Sequence, residues 1–267
     1  MLIVEQVAVP SKYLKRYVIV DLFLPKSIAD PFSLSLLLLN DGQHTEEMAL
    51  GNMLNGLMNS GAILPLVIAG IHANKDRMKE YGTAGILDYE GRGDRAGAYQ
   101  SFITKELLPF IQNKYAIPSF RSKAFAGFSL GGLSAIDTVW NHPLEFSIAG
   151  VFSGSLWWRT KALGTDYNDA TDRIMHERIR EGAFHPGLRF YFVTGSLDET
   201  ADRNNNGIID SIDDTLDLIK EIKAHGYEDD AISYINYEDG RHDIATWTRA
   251  MEPFLRWGWE GDVQRGK

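Results

Sequence analysis

The stretch Gly127-Phe128-Ser129-Leu130-Gly131-Gly132 joins a short apolar segment to a sequence of helical character. Lys123–Ala126 before it predicts a buried strand, and Leu130–Asn141 after it predicts a helix. Glycines on both sides of Ser129 let neighbouring backbone approach closely, as a sharp strand-to-helix turn requires. Such a turn exposes the serine oxygen at the end of a sheet, with the Leu130 N–H beside it. The motif is short, and a glycine turn that serves only packing is the alternative.

The rest of the chain alternates strand-like and helix-like segments. We predict strands at Leu2–Val9, Arg16–Leu24, Leu34–Asn40, Leu64–Ile71, Lys123–Ala126, Ser147–Phe152, Leu188–Thr194 and Ala231–Tyr237. We predict helices at Glu46–Asn59, Ala96–Tyr115, Leu130–Asn141, Ala170–Glu181, Ile212–Ala224 and Ile244–Met251, the second kinked at Pro109.

This order of elements predicts the fold class. Two early strands followed by repeated strand–helix units indicate an α/β fold in a single domain over residues 1–267. We expect a mostly parallel central sheet of about eight strands with helices on both faces. Ligands of such sheets bind beyond the carboxyl ends of the strands.

The composition is that of an ordinary globular protein. The 267 residues include 27 basic and 36 acidic side chains and no cysteine, for a formal net charge of −9. This balance argues against nucleic acid or an anionic membrane as a partner, because both attract clustered Lys and Arg. The lack of cysteine excludes disulfides and thiolate catalysis by this chain. Without a transmembrane run or a visible signal peptide, we expect a cytoplasmic protein.

A nucleophilic serine needs a nearby imidazole to accept its proton. When the serine follows a strand in this way, an acid and then a histidine come later in the chain. His242 follows the last predicted strand and precedes a predicted helix, so a loop there would present its ring to Ser129. A surface loop histidine is the alternative. The other histidines downstream of Ser129 lie elsewhere in the pattern: His142, His176, His185 and His225.

The acid is expected just after the seventh predicted strand. Asp198 and Glu199 are adjacent there, and we choose Asp198, with Glu199 as the alternative. The acid would orient the imidazole and stabilise its charged form. An oxyanion on the substrate needs N–H donors. Leu130 provides one, and Gln43 or Gly42, after the third predicted strand, provides the other.

The negative charge is concentrated in one segment. Between Asp198 and Asp214, six acidic residues and one basic residue give −5 of the net −9. Residues 202–213 match a 12-residue calcium loop with glycine at position 6. We predict a structural Ca²⁺ ion, with a polar turn as the alternative, and no organic cofactor. Ser211 and Asp214 would cap the helix that follows. The predicted ligands are Asp202, Asn204, Asn206, the Ile208 carbonyl, Asp210 and Asp213.

Further motifs lie along most of the chain: Leu39–Gln43, Arg77 with Glu80-Tyr81, Phe102 with Glu106–Ile111, Ser153–Trp158, Gly195–Asp198 and Arg241-His242. With the serine turn they resemble the putative-esterase family of the α/β-hydrolase superfamily. That family includes enterobactin-type siderophore esterases, S-formylglutathione hydrolase (esterase D), feruloyl and acetylxylan esterases, and mycolyltransferases. The siderophore-esterase-like branch is most similar, although the calcium-like insertion departs from it.

The resemblance implies a role for each matched residue. Ser129 is implied as nucleophile, His242 as base and Asp198 as acid, with Leu130 and Gln43 as the oxyanion amides. The fold it implies is the α/β-hydrolase fold.

Four further side chains are candidates for a substrate pocket. Trp157 and Trp158 follow the sixth predicted strand, where an aromatic wall would suit aryl or sugar groups. Packing in the core or a lid is the alternative for each. Asp41 lies in the predicted oxyanion loop. Arg77 would either bind an anionic substrate or pair with Glu80.

These residues predict a serine carboxylesterase that cleaves a small-molecule ester through an acyl-enzyme. Siderophore, carbohydrate or feruloyl esters are candidate substrates. Thioester hydrolysis or acyl transfer would use the same intermediate. A non-catalytic binding protein on the same scaffold is the remaining alternative, and the order of serine, acid and histidine argues against it. The oligomeric state is not indicated.

Overall fold

The structure, a computed structural model that describes residues 2–26 and 30–261, is built on eight strands. They are β1 (Leu2–Ser11), β2 (Arg16–Pro25), β3 (Ser35–Asn40), β4 (Leu66–Ile71), β5 (Lys123–Phe128), β6 (Ile148–Phe152), β7 (Arg189–Leu197) and β8 (Ile232–Arg241). They form one sheet in the order β1-β2-β4-β3-β5-β6-β7-β8. The pairs β1–β2 and β2–β4 are antiparallel and the other five are parallel. Each strand overlaps its predicted counterpart, and the prediction of a mostly parallel sheet is confirmed.

The connections between strands carry the helices. They are α1 (Leu50–Asn59), α2 (Arg77–Glu80), α3 (Ala96–Phe102), α4 (Leu108–Tyr115), α5 (Leu130–Asn141), α6 (Asp169–Asp172), α7 (Ile174–Glu181), α8 (Asp210–Ala224) and α9 (Ile244–Trp259). Short 3-10 turns occupy Gly42–His44 and Asp229–Ala231. Within residues 2–26 and 30–261, no helix has the length and apolarity needed to cross a membrane.

Helices cover both faces of the sheet, as predicted. On one face α1 and α9 contribute Leu54, Met251 and Phe254 to one buried apolar cluster. On the other face α3, α4, α5, α7 and α8 contribute to a second, larger cluster, including Phe102 and Leu218. Every residue of β3, β4 and β6 is buried, which explains why these strands appear in the sequence as continuous apolar runs.

Two helices differ from their predicted form. The helix predicted from Glu46 begins at Leu50, because Ala49 before it has a φ of 48°, a left-handed conformation that a right-handed helix excludes. The predicted kink at Pro109 takes the form of a π-helical turn, Ile103–Leu107, between α3 and α4. There the Leu108 N–H bonds the carbonyl of Ile103, five residues back. Proline lacks an N–H, so a change in the hydrogen-bond ladder beside it is expected.

Strained backbone marks the carboxyl edge of the sheet. Asp41, Ser129 and Ser153 directly follow β3, β5 and β6, and their φ angles are 59°, 53° and 46°. These three strands are neighbours in the sheet, so the three residues lie side by side. Residues other than glycine adopt positive φ only where the surrounding structure enforces it, and such residues cluster at functional sites. This edge is therefore the first place to look for a site.

Candidate active site

Ser129 sits at a sharp turn between β5 and α5, as the sequence predicts. Its backbone has φ 53° and ψ −124°, and it directly precedes the first residue of the helix, Leu130. A Cβ on Gly127 would lie 2.4 Å from the carbonyl oxygen of Gly131, and one on Gly131 would lie 2.7 Å from an Asp41 carboxylate oxygen. Both glycines are therefore required by close packing around the serine.

The Ser129 hydroxyl opens into a cleft of about 260 Å³. Its oxygen lies 3.3 Å from the hydroxyl oxygen of Ser155, which follows β6. The cleft brings together the predicted nucleophile, base and both candidate acids. Its lining comprises Ser129, Ser153, Gly154, Ser155, Trp157, Asp198, Glu199, Ser211 and His242.

His242 directly follows β8 and reaches the cleft from the loop before α9. Its ring meets the Trp247 ring edge-on, with centroids 5.1 Å apart. Although part of the residue is exposed, the protein atoms around the ring desolvate the imidazolium and lower the pKa of His242. Asp198 acts in the opposite direction by attraction. The ring is thus neutral at pH 7 and able to accept a proton.

Asp198 lies at the end of β7, where its Oδ2 accepts the Gly195 N–H at 3.0 Å. Burial raises the pKa of Asp198, while Gly195, the Ser153 hydroxyl and the attraction of His242 act against that rise. Its Oδ1 is buried and has no hydrogen-bond partner in the part of the chain described. This free oxygen is available for an N–H of the imidazole.

Glu199, the alternative acid, has a different environment. Burial raises the pKa of Glu199, and the neighbouring carboxylates of Asp210, Asp214 and Asp198 raise it further, while the Ser211 N–H opposes them. The main influences on it are these, whereas Asp198 and His242 each act on the other's pKa. The electrostatic coupling to His242 therefore favours Asp198 as the acid.

Trp247 contacts the nucleophile turn, the histidine and Ser153, whose hydroxyl acts on the acid. Its ring stacks on Phe128, the residue before Ser129, with centroids 5.0 Å apart and planes at 13°. The same ring meets His242, and its Nε1 donates a hydrogen bond of 3.1 Å to the Ser153 hydroxyl beside Asp198. One buried side chain thus fixes the relative positions of the nucleophile turn, the histidine and the acid.

The predicted oxyanion loop packs against the serine turn. The Asn40 side-chain amide donates to the Gly131 carbonyl at 2.8 Å, which ties the end of β3 to the start of α5. Leu130 is the first residue of α5, and Gln43 lies in the 3-10 turn that follows Asp41. The first N–H groups of a helix have no intrahelical acceptor. Both predicted donors therefore occupy positions where an N–H is available to an oxyanion.

The structure corrects the predicted contacts of Asp41 and Arg77. Arg77 donates to both carboxylate oxygens of Asp41, at 2.7 and 2.8 Å, and Asp41 is buried. Arg77 does not pair with Glu80, which binds Arg16 and Arg95 instead. The ion pair of Asp41 and Arg77 braces the oxyanion loop, so Asp41 is a buried support and not part of the cleft lining.

The two tryptophans have different surroundings. Trp157 is partly exposed and lines the cleft, as predicted. Trp158 is fully buried, and its ring lies 3.1 Å from the position of a Cβ on Gly82. For Trp158 the alternative of core packing is therefore the correct one.

Two acidic residues of the run, Asp210 and Asp214, are paired with arginines. Arg203 binds Asp214 at 2.6 Å and Asp169 at 2.7 Å, and Arg173 binds Asp214 at 2.7 Å. Asp214 is therefore not a helix cap, and the hydroxyl of Ser211 is buried with no hydrogen-bond partner among the described residues. The predicted capping pair is wrong: α8 begins at Asp210, and its N-cap residue Ile209 makes no side-chain capping hydrogen bond in the described structure. Buried ion pairing took precedence over local capping.

The predicted calcium ligands are only partly gathered. Asp202 accepts the N–H groups of Asn206 and Gly207, and the side-chain amides of Asn204 and Asn206 both donate to Asp213 Oδ2. Asp210 is instead held by Arg203. In residues 2–26 and 30–261, no group of three or more histidine or acidic side chains is placed to hold a metal ion. The calcium site stays a prediction, which depends on the amide and carbonyl oxygens of the loop.

Comparison with known proteins identifies the family. A model of the family described as Putative esterase matches residues 11–257. The chain belongs to this family. The siderophore enterobactin esterase of Emericella nidulans is 29% identical over 98 residues, which are 36% of this chain and 31% of that protein.

Solved structures share the fold of this esterase-family chain. The enterobactin esterase of Shigella flexneri superposes with a TM-score of 0.70 at 20% identity, over 95% of this chain and 58% of that one. The siderophore hydrolase EstB of Aspergillus nidulans superposes with a TM-score of 0.69 at 17% identity, over 98% of this chain and 95% of that one. These likenesses confirm the α/β-hydrolase fold. The chain spans about a third of the length of the Emericella nidulans esterase and just over half of the Shigella enzyme.

Sequence reasoning did not single out Ser153, Ser155 or Ser211 as cleft residues. The first two belong to the segment after β6, whose position beside β5 in the sheet is the signal that could have found them. Ser211 was assigned to a helix cap. No pattern in its neighbourhood indicated that the start of α8 would reach the cleft.

Proposed function

We propose that the protein is a serine carboxylesterase with Ser129 as nucleophile, His242 as general base and Asp198 as the acid that orients the histidine. The observation that carries the proposal is the cleft at the carboxyl edge of the sheet, which all three residues line with Ser129 in a strained turn. The coupling of Asp198 to the pKa of His242 supports the choice of acid.

The reaction follows from these positions. Ser129 Oγ attacks the ester carbonyl carbon while the neutral His242 ring takes the hydroxyl proton. The Leu130 and Gln43 N–H groups stabilise the negative charge on the carbonyl oxygen. His242 then returns the proton to the departing alcohol. Water then takes the place of the alcohol and attacks the acyl-serine while His242 takes its proton. His242 passes this proton to Ser129 Oγ as the carboxylic acid leaves.

Two measurements test this mechanism. The protein should hydrolyse 4-nitrophenyl acetate and should be labelled covalently by a fluorophosphonate at Ser129. Ser129→Ala should abolish both, and His242→Ala should reduce both, with thermal melting unchanged as the control for folding. A folded wild-type protein that is neither labelled nor active would overturn the proposal in favour of a binding protein on this scaffold.

The substrate proposed is a small-molecule ester of the siderophore, feruloyl or carbohydrate type. Support comes from the enterobactin and siderophore esterases among the structural relatives and from the aromatic wall at Trp157. Thioester hydrolysis or acyl transfer would use the same acyl-serine. A panel of siderophore-lactone, feruloyl, acetyl-sugar and S-formylglutathione substrates separates these, and the largest kcat/KM identifies the class.

We also propose that the loop 202–213 binds a structural Ca²⁺ ion. Its support is the 12-residue ligand pattern and the network that already links Asp202, Asn204, Asn206 and Asp213. Added Ca²⁺ should raise the melting temperature relative to a chelator, and Asp202→Ala should remove the difference. Equal melting temperatures in calcium and chelator would refute it.

A further inference from the structure

A second cavity adjoins the catalytic cleft. It has a volume of about 280 Å³ and shares Trp157 and Glu199 with the cleft. An ester bound at Ser129 can therefore extend past these two side chains into it. The lining comprises Tyr89, Arg92, Trp157, Arg159, Leu163, Glu199, Ala201 and Asp210.

Two of the four charged side chains in this lining already have partners of opposite charge. Arg92 is paired with Asp88 and with Glu90, the latter at 2.9 Å. Asp210 accepts the Arg203 N–H at 2.9 Å and lies 3.2 Å from its guanidinium. Neither side chain offers an uncompensated charge to a ligand.

Arg159 is different. Among the described residues it has no carboxylate within ion-pair distance, and its Nη1 makes one long hydrogen bond, 3.4 Å, to the Trp157 carbonyl. Its Nε is buried and has no hydrogen-bond partner within the described ranges. A partly buried guanidinium whose Nε has no acceptor and whose one hydrogen bond is long is costly. An anionic ligand would supply the missing acceptors.

The guanidinium of Arg159 is also held in a fixed place. Its carbon lies 5.0 Å from the ring centroid of Tyr89, 5.6 Å from that of Trp157 and 5.8 Å from that of Tyr167. Stacking on aromatic faces orients the guanidinium fork, which then binds a carboxylate through two parallel hydrogen bonds. The exposed faces of Tyr89 and Leu163 offer apolar contact for the adjoining part of the ligand.

Glu199 separates this cation from the nucleophile. It lines both cavities, and the groups that act on it are neighbouring carboxylates and a backbone N–H. Its negative charge disfavours a second anion at the boundary. A ligand anion is therefore tolerated in the second cavity next to Arg159, and not directly beside the ester.

We propose that the second cavity is a substrate subsite in which Arg159 binds a carboxylate carried by the ester substrate at a distance from the scissile bond. The substrate class is thus an anionic ester with an apolar or aromatic spacer between the two groups. This inference rests on the proposed esterase function, since the ester must occupy the cleft at Ser129.

Two matched pairs of esters test the subsite. For a carboxylate on the acyl side, the pair is mono-(4-nitrophenyl) adipate and 4-nitrophenyl hexanoate. For a carboxylate on the alcohol side, the pair is 4-acetoxybenzoate and its methyl ester. In at least one pair, kcat/KM should favour the anionic ester, and Arg159→Gln should reduce that preference by about tenfold, mainly through KM.

The controls separate charge from folding. Arg159→Lys keeps the charge without the planar fork and should give an intermediate preference. Arg256→Gln, on the exposed pair of Arg256 with Glu252, should leave the preference unchanged. If Arg159→Gln fails to fold, the lysine variant and the wild-type salt dependence decide, because a charge-based preference falls as ionic strength rises.

The outcomes also distinguish the subsite from the esterase function. Hydrolysis of the neutral esters without an anionic preference in either pair, or with a preference that Arg159→Gln leaves intact, overturns the subsite alone. Hydrolysis of no ester overturns the proposed function. In that case, benzoate binding to wild type and Arg159→Gln, followed by tryptophan fluorescence, judges the cavity by itself: binding lost in the variant supports it, and equal or absent binding overturns it.

Discussion

Replacing Ser153 with alanine tests the support of the acid by the residue beside it. Ser153 is buried, has a φ of 46°, and accepts the Trp247 N–H at 3.1 Å while its hydroxyl acts on Asp198. Alanine keeps the backbone and the volume and removes only the hydroxyl. The change therefore removes a hydroxyl that lowers the pKa of Asp198 and deprives Trp247 of an acceptor.

The expected magnitudes follow from these two losses. Trp247 is 8% exposed, and a buried N–H left unpaired lowers the free energy of unfolding by about 1–3 kcal/mol. A hydrogen bond to a charged group contributes about 1.5–3 kcal/mol. If Asp198 loses that orientation during catalysis, kcat should fall by about 10- to 100-fold. KM should stay nearly unchanged, because the role proposed for both groups is to orient His242 and not to bind the ester.

The assay is steady-state hydrolysis of 4-nitrophenyl acetate, with urea denaturation of the same samples. The chain offers a matched control at the opposite edge of the sheet, where the Ser122 hydroxyl accepts the Trp259 N–H at 3.2 Å. Ser122→Ala removes the same kind of hydrogen bond away from the cleft. It should lower stability by a similar amount and leave kcat unaltered.

A double-mutant cycle with Asp198→Asn decides the reasoning. If Ser153 acts through the Asp198 carboxylate, its loss should reduce kcat much less in the Asp198→Asn background than in the wild type. An equal reduction in both backgrounds, or a reduction that Ser122→Ala reproduces, would refute the positioning role.

Three further predictions concern pH and packing. Desolvation lowers the pKa of His242, and the neutral ring is the proposed base. The pH profile of kcat/KM should therefore rise with a midpoint below pH 6.5 and reach a plateau by pH 7. A midpoint above pH 7 would contradict this. Gly131→Ala should reduce activity and melting temperature, since its Cβ would lie 2.7 Å from an Asp41 oxygen, whereas Gly97→Ala, with open space at its Cβ, should lower neither. Burial lowers the pKa of His176 from 6.5 to about 3, so the unfolded chain binds its proton more readily. The contribution of neutral His176 to the free energy of unfolding should be complete above pH 6.5 and decline as the pH falls toward 3. Urea denaturation at pH 7 and pH 5 measures this decline, which should be smaller in His176→Gln.

The sheet was predictable because its central strands are buried on both faces. Continuous apolar runs mark β3, β4 and β6 in the sequence, and each strand was found at its predicted place. The turn at Ser129 was predictable for a related reason: glycine is required on both sides of it by contacts of 2.4 and 2.7 Å. Local composition reports such constraints directly.

Pairings between distant residues were not predictable in the same way. Arg77 bonds Asp41 rather than the nearby Glu80, and Asp214 bonds two arginines rather than the start of its own helix. Each choice is made by the tertiary structure, which brings opposite charges together under the surface. The start of α1 was missed because the left-handed backbone at Ala49 carries no glycine or asparagine to indicate it.

The three side-by-side residues with positive φ also bear on how the protein acquires its reactivity. The local sequence at Asp41, Ser129 and Ser153 disfavours these conformations, so they form only once β3, β5 and β6 have paired. If Ser129 is the nucleophile that we propose, a nascent or partly folded chain therefore does not present it in its reactive turn. Covalent labelling of Ser129 during refolding would consequently record the last stage of sheet assembly, and its time course would measure the arrival of the native state.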